Sequence, residues 1–391
     1  MICQVDRSSR SRVHGYKFDH ELFERLRADV AEERLSNQSN LIAGSIDPLQ
    51  EHDILRLPST DSRRDHELRE LGLAEMRLGR VAVVILNGGM ATRFGGAVKG
   101  TLPVVGGRSL LEYKLLDIEW AARSSGGRIA PVLMNSFFTD APTLALLARK
   151  SFHRPLSFVQ SVSFRLNPDG SIFRDALGRL SPYSPGHGDF FESLRRSGTL
   201  DRLRQRGITR VILSNVDNLG ACVDARILGA HVAAGRPITT EVVQRQAGDV
   251  GGAPARLRGR LQLLEAFRLP KRFDHTTLDF FGTNTFVFDL DALDPPYPLT
   301  WFYVEKKVGD RRVVQLEHLL NEVTAFQPTT FLEVPRTRFA PIKTPADLAS
   351  AAGFLRSVAA RLAPSEPRRA DRPTPEAGRR YRRVDVLTDE A

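Results

Sequence analysis

The chain has 391 residues, 41% hydrophobic and 26% charged, a balance ordinary for a folded globular protein with one large or two ordinary domains. Its net charge of +10 comes from arginines scattered in ones and twos, as in RSSRSR and RRYRR, without the interleaved aromatics of a nucleic-acid surface, so no nucleic-acid partner is expected. Cys3 and Cys222 form neither a metal-binding spacing nor a disulfide framework, the run Val81–Leu86 is too short for a bilayer, and the N-terminus has no apolar signal core; no membrane partner and a cytosolic location are expected.

Residues 1–80 are strongly charged and read as an N-terminal helical cap, with helices over Phe18–Arg34 and Ser62–Leu78. At Val81 the pattern changes. VAVVIL is apolar throughout and β-branched, as in a strand covered on both faces of a parallel sheet. There follow a helix at Ser109–Arg123, a strand at Ile129–Met134, a helix at Thr143–Lys150, a strand at Phe158–Ser163, a helix at Phe190–Gln205 and a strand at Arg210–Ser214. This alternation predicts an α/β fold with a doubly wound, mixed sheet as a catalytic domain over 81–350. Glu241–Asp289 breaks into short strand-like pieces and is expected to form a β-rich insertion that faces the site. Residues 351–391 are expected to form a helix followed, from Pro364, by a disordered Pro/Arg-rich tail that cannot build a core.

The chemistry concentrates in loops after strands. Leu86–Gly100, LNGGMATRFGGAVKG, follows the first buried strand; Gly88 and Gly89 let backbone approach a ligand, and exposed N–H groups there cradle phosphate oxygens. Arg93 and Lys99 add the positive charge that a polyphosphate requires. The loop matches neither GxxxxGK[ST] nor GxGxxG, which disfavours a P-loop and a dinucleotide-binding oxidoreductase. The strand ending at Ser214 delivers Asn215, Asp217 and Asn218 to its carboxyl end, where ligands sit in open α/β sheets. One carboxylate beside phosphate oxygens and water is a donor set that Mg²⁺ prefers.

In this order, L-x-G-G-x-x-T-R-x-G with a following lysine, FVQS, PGHGDFFESL, LSNVDNLG, FFGTNTFVFDL and VPRTRFAPIKTPADL resemble the UDP-glucose pyrophosphorylase (UTP–glucose-1-phosphate uridylyltransferase) family. The resemblance runs from about Val81 to Leu348 and implies a nucleotide-diphospho-sugar transferase fold. The implied reaction is transfer of UMP from UTP to glucose 1-phosphate, releasing pyrophosphate. It assigns Arg93, Lys99, Lys343 and Lys307 to the reacting phosphates, and Leu86, Asn87, Gly88, Gly89, Gln160, Gly186, His187 and Asn215 to the nucleotide. Asn218, Gly252, Glu265 and Asn284 fall to the sugar, and Asp217 to Mg²⁺. Several positions depart from the family pattern: Val98 precedes Lys99 where a proline is usual, Thr285 replaces a second asparagine, and the turn near Lys307 is shortened. Another hexose or N-acetylhexosamine 1-phosphate as acceptor, or a catalytically silent nucleotide-sugar-binding protein, therefore stays open. The eukaryotic-type C-terminal β-helix domain is expected to be absent, and the oligomeric state is left open.

Overall fold

A computed structural model describes residues 15–91, 96–150, 152, 155–249, 251–274 and 277–362. Its centre is an eight-stranded sheet. In chain order the strands are β1 (Ile54–Arg56), β2 (Val81–Leu86), β3 (Ile129–Asn135), β4 (Leu156–Val159), β5 (Arg210–Asn215), β6 (Ile238–Gln244), β7 (Phe280–Asp289) and β8 (Thr329–Glu333), and their spatial order is β1-β8-β6-β7-β5-β2-β3-β4. Neighbours pair in parallel except around β7, which runs antiparallel to both β5 and β6. The sheet is thus mixed, as the alternation of elements predicts.

β2 shows why a continuous apolar run belongs at the centre. Val81, Val83 and Ile85 pack into the core on one face, while Ala82, Val84 and Leu86 pack into the core on the other. The first face is covered by α2 (Arg63–Arg77), α3 (Leu110–Ser125), α4 (Asp140–Arg149), α7 (Ala225–Ala234) and α8 (Pro345–Leu362). The second is covered by α5 (Phe190–Arg196) and α6 (Thr199–Gln205). Helix starts are set by local chemistry. Ser109 and Glu112 form a reciprocal capping box at α3, and Thr344 with Asp347 does the same at α8.

Several sequence expectations change in detail. The stretch 190–205 is two seven-residue helices instead of one, because Gly198 adopts the left-handed conformation (φ 68°) that ends a helix. The third predicted strand ends at Val159; Ser163–Phe164 pairs separately with Pro182–Tyr183. Residues 241–244 and 280–289 are strands of the main sheet, so the excursion from it runs only from Arg245 to Asp279 and carries the hairpin 252–265.

The first 80 residues are not helical alone. Besides α1 (His20–Ala31) and α2 they supply edge strand β1 and the short strand Ile46–Asp47, which pairs with the hairpin. The Pro/Arg-rich tail lies outside the described residues. Among the described residues, no helix is long and apolar enough to cross a membrane.

Candidate active site

The chain leaves β2, winds outward through β3 and β4, then returns to place β5 on the other side of β2. That reversal opens a crevice between the carboxyl ends of β2 and β5, where open α/β sheets bind ligands. Leu86 and Asn215, the last residues of the two strands, are register partners. The crevice has a volume of about 260 Å³, and its lining includes Leu86, Gly88, Gly89, Lys99, Gln160, Gly186, His187, Asn215 and Asp217.

Gln160 ties two walls together. It leaves β4 with its backbone N–H donated to Asn135 O at 2.9 Å, and its amide donates to Gly186 O at 2.8 Å. Its Oε1 lies 2.3 Å from where a β-carbon on Gly88 would stand, so a side chain at 88 would displace the Gln160 amide. Gly186 has φ 86° and leaves 2.5 Å between a hypothetical β-carbon and His318 O, so it too excludes a side chain. On the opposite wall Lys99 Nζ donates to Asp217 Oδ2 at 2.8 Å. Lys99 is part-exposed and Asp217 is buried, so this ion pair forms one side of the cleft.

His187 is half-buried in the cleft wall. Its Nδ1 accepts the Leu320 backbone N–H at 2.9 Å, which fixes the Nε2–H tautomer, and burial pushes its pKa down to about 4. It is therefore neutral, with a hydrogen-bond donor at Nε2. Next to it His318 stacks on Trp301, with centroids 4.2 Å apart and planes 16° off parallel. Burial, with a smaller contribution from His187, pushes His318 from 6.5 down to about 3.

A histidine that stays neutral when folded makes acid destabilising. The unfolded chain binds the proton first, so stability present above pH 6.5 is lost as pH falls towards 3. His318→Phe keeps a stacking ring and removes the titration. Between pH 7 and pH 5 the wild type is expected to lose about 2 kcal/mol relative to this variant, at 1.36 kcal/mol per pKa unit. Urea midpoints at the two pH values measure it, and a pH-independent difference would contradict the assignment.

Other predicted residues have different surroundings. Asn87 is buried, and its amide donates to Asn135 Oδ1 (2.8 Å) and Thr143 Oγ1 (2.9 Å); the side chain braces the loop from behind. Asn284 takes a left-handed conformation (φ 55°) and donates to Asn215 Oδ1 at 3.0 Å. Asn218 Oδ1 accepts the Ala340 N–H at 2.9 Å, docking the segment that carries Lys343. Gly252 and Glu265 face each other across the hairpin, and Asn321 donates to Glu265 at 2.5 Å, with burial raising the Glu265 pKa.

Lys343 is not among the residues lining the crevice between β2 and β5; it lines a second cleft of about 270 Å³ with Asp249, Arg336 and Phe339, and the Ile342 N–H donates to Asp217 O at 2.9 Å, tying the segment before Lys343 to the Asp217 loop. Lys307 is not brought to either cleft. It is exposed near the turn of the hairpin 302–317, opposite Arg312. Arg93 lies outside the described residues.

Asp189, at the start of α5, makes no capping bond. Its carboxylate accepts the backbone N–H (2.6 Å) and hydroxyl (2.9 Å) of Ser161 and the hydroxyl of Ser193. Met134, Ser184 and Val216 also line the cleft and were not foreseen. Ser184 stood beside the Gly186–His187 turn, which was the signal available for it.

A largely parallel sheet with one antiparallel strand and a glycine-walled, cation-bearing cleft at its switch point is the fold of solved UDP-sugar pyrophosphorylases. The family model of UTP–glucose-1-phosphate uridylyltransferase matches residues 21–389, and the chain belongs to that family. It is 31% identical over 297 residues to the UTP–glucose-1-phosphate uridylyltransferase of Saccharomyces cerevisiae, covering 69% of this chain and 59% of that one. A solved point mutant of UDP-glucose pyrophosphorylase from Leishmania major, in complex with UDP-glucose, is 27% identical with TM-score 0.62, over 77% of this chain and 70% of that one. The uridine diphosphate N-acetylglucosamine pyrophosphorylase of Trypanosoma brucei shares the fold, with TM-score 0.73 at 19% identity over 88% of this chain and 79% of that one. The chain spans about three fifths of the length of the curated relatives it matches.

Proposed function

We propose that this chain transfers UMP from UTP to glucose 1-phosphate in the cytosol, releasing pyrophosphate and forming UDP-glucose. The observation that carries the reading is the Lys99–Asp217 pair in one cleft with Gly88, Gly89, Gln160, Gly186 and His187. Gly88 leaves backbone open to a ligand, and Gln160 offers an amide able to pair with a uracil edge. Lys99 meets the triphosphate with positive charge, and Lys343, on the segment docked to Asp217, holds the phosphate of the sugar. An oxygen of that phosphate attacks the α-phosphorus of UTP as the bond to the bridging α–β oxygen breaks, and pyrophosphate leaves with the electron pair. The residues' task is alignment and charge neutralisation, with no covalent enzyme intermediate.

Mg²⁺ fits the donors present. Among the described residues no cluster of three or more His, Cys, Asp or Glu could hold a metal, whereas one carboxylate, Asp217, stands in the phosphate cleft. Such a site leaves most of the coordination to phosphate oxygens and water, as Mg²⁺ favours. When bound at Asp217, the ion neutralises charge on the departing pyrophosphate.

The test is pyrophosphate release from a panel of sugar 1-phosphates against four nucleoside triphosphates. Glucose 1-phosphate with UTP is expected to give the highest kcat/KM. Preference for an N-acetylhexosamine 1-phosphate would move the acceptor, and binding of UDP-glucose with no release from any pair would sink the catalytic reading.

A further inference from the structure

Lys114 sits in the middle of α3, where Leu110, Leu111, Tyr113 and Leu115 are core residues, and it is itself only 5% exposed. Burying an ammonium costs several kcal/mol unless its donors are used, so a lysine at such a position calls for a reason. Its Nζ donates to Ser214 Oγ at 2.9 Å and to Ala221 O at 2.8 Å. Ser214 is the penultimate residue of β5, and Ala221 lies within the loop 216–224 that carries Asp217. One turn along α3, Asp117 accepts the Val223 N–H at 2.8 Å. The same helix therefore grips the strand end just before the loop and two points within it after Asp217.

From the other side Arg338 donates to Cys222 O at 3.1 Å while paired through two bonds with the buried Glu241. Burial pushes the Lys114 pKa down; the surrounding Cys222, Asp117 and Glu241 oppose this, and Arg338 adds to it.

We propose that Lys114 is a positioning residue for the metal-bearing carboxylate: by spanning Ser214 and Ala221 it fixes the separation of two points that flank Asp217 in the chain and so holds Asp217 at the cleft. This rests on the reading above that Asp217 holds the metal. A lysine serving only the core has no reason to place two of its three donors on either side of Asp217; an apolar side chain of the same length fills that space without the burial cost. Partners that orient a metal ligand typically change metal affinity or activity 10–100-fold when removed.

The experiment uses the full chain with Lys114→Met, which keeps the length of the stem and loses the donors, and Ser214→Ala, which removes one acceptor. Mn²⁺ affinity in the presence of UTP, kcat and the KM for UTP are measured beside the melting temperature. Lys114→Met is expected to weaken Mn²⁺ about 10–100-fold and to lower kcat by a similar factor at nearly unchanged KM for UTP. A lower melting temperature with Mn²⁺ affinity and kcat within about twofold of wild type would overturn the proposal. If Lys114→Met does not fold, Ser214→Ala decides, with a weaker Mn²⁺ site supporting the proposal and an unchanged one overturning it. Failure of the wild type to bind Mn²⁺ with UTP would instead remove the metal reading itself, and this inference with it.

Discussion

Lys99→Ala is expected to lower kcat by roughly 10²–10³, the cost of about 3–4 kcal/mol of preorganised charge removed from a transition state. The stem of Lys99 runs beside Gly89, within 3.4–3.9 Å of where a β-carbon there would stand, so the ammonium is held over the glycine loop. That placement makes it available to phosphate oxygens without reorganisation, which is where such charges act most strongly. The same variant has an opposite effect before substrate arrives. Asp217, 5% exposed, loses the partner now 2.8 Å from its Oδ2. A buried carboxylate left without its cation seeks another, so Mn²⁺ binding to the nucleotide-free protein is expected to tighten, by roughly tenfold for each 1.4 kcal/mol regained. Turnover and ligand-free metal affinity thus move in opposite directions. Pyrophosphate release and an Mn²⁺ titration on one preparation check both, and near-normal turnover would remove Lys99 from the phosphate site.

The sequence carried the architecture wherever local pattern and tertiary fate agree. VAVVIL is apolar on both faces because β2 has a core on each side, and the loops following β2 and β5 are polar because their ends form the crevice. Local pattern failed where a single residue or a distant partner decides. Gly198 splits a stretch whose apolar spacing continues through it. Strand β7 looks like part of an insertion, yet its register is set by β5 and β6, far away in the chain. Within the site, Lys99, Gln160, His187 and Asp217 were legible because their loop motifs place them at strand ends. Motif matching cannot say where a side chain turns. Asn87 and Asn218 are used for bracing loops, while Lys307 ends on an exposed hairpin. Lys114 left no trace in the sequence, since a lysine on a helix normally reads as solvated, and only the distances to Ser214 and Ala221 give it a role.

Asp217→Asn isolates the carboxylate's charge from its shape. The amide oxygen can still accept from Lys99, and the bond from Ile342 N–H goes to the backbone carbonyl of residue 217, so the docking of the Lys343 segment survives the change. What is lost is the anionic oxygen that a hard divalent cation requires. With no second carboxylate cluster among the described residues to take over, Mn²⁺ affinity measured with UTP present is expected to fall by at least about 10², more than for the loss of a supporting partner. The kcat is expected to fall by roughly 10³, equivalent to about 4 kcal/mol, because the charge on departing pyrophosphate is then met by cationic side chains and solvent without the metal. UTP itself, added without metal, should bind no more weakly than to the wild type, since a negative charge facing the triphosphate has been removed. Metal-free UTP binding separates a damaged cleft, which loses both ligands, from a missing metal ligand, which loses only one. An Asp217→Asn protein with the wild-type Mn²⁺ affinity and turnover would place the metal on other atoms, and the Lys99–Asp217 pair would then be a structural ion pair at the edge of the cleft.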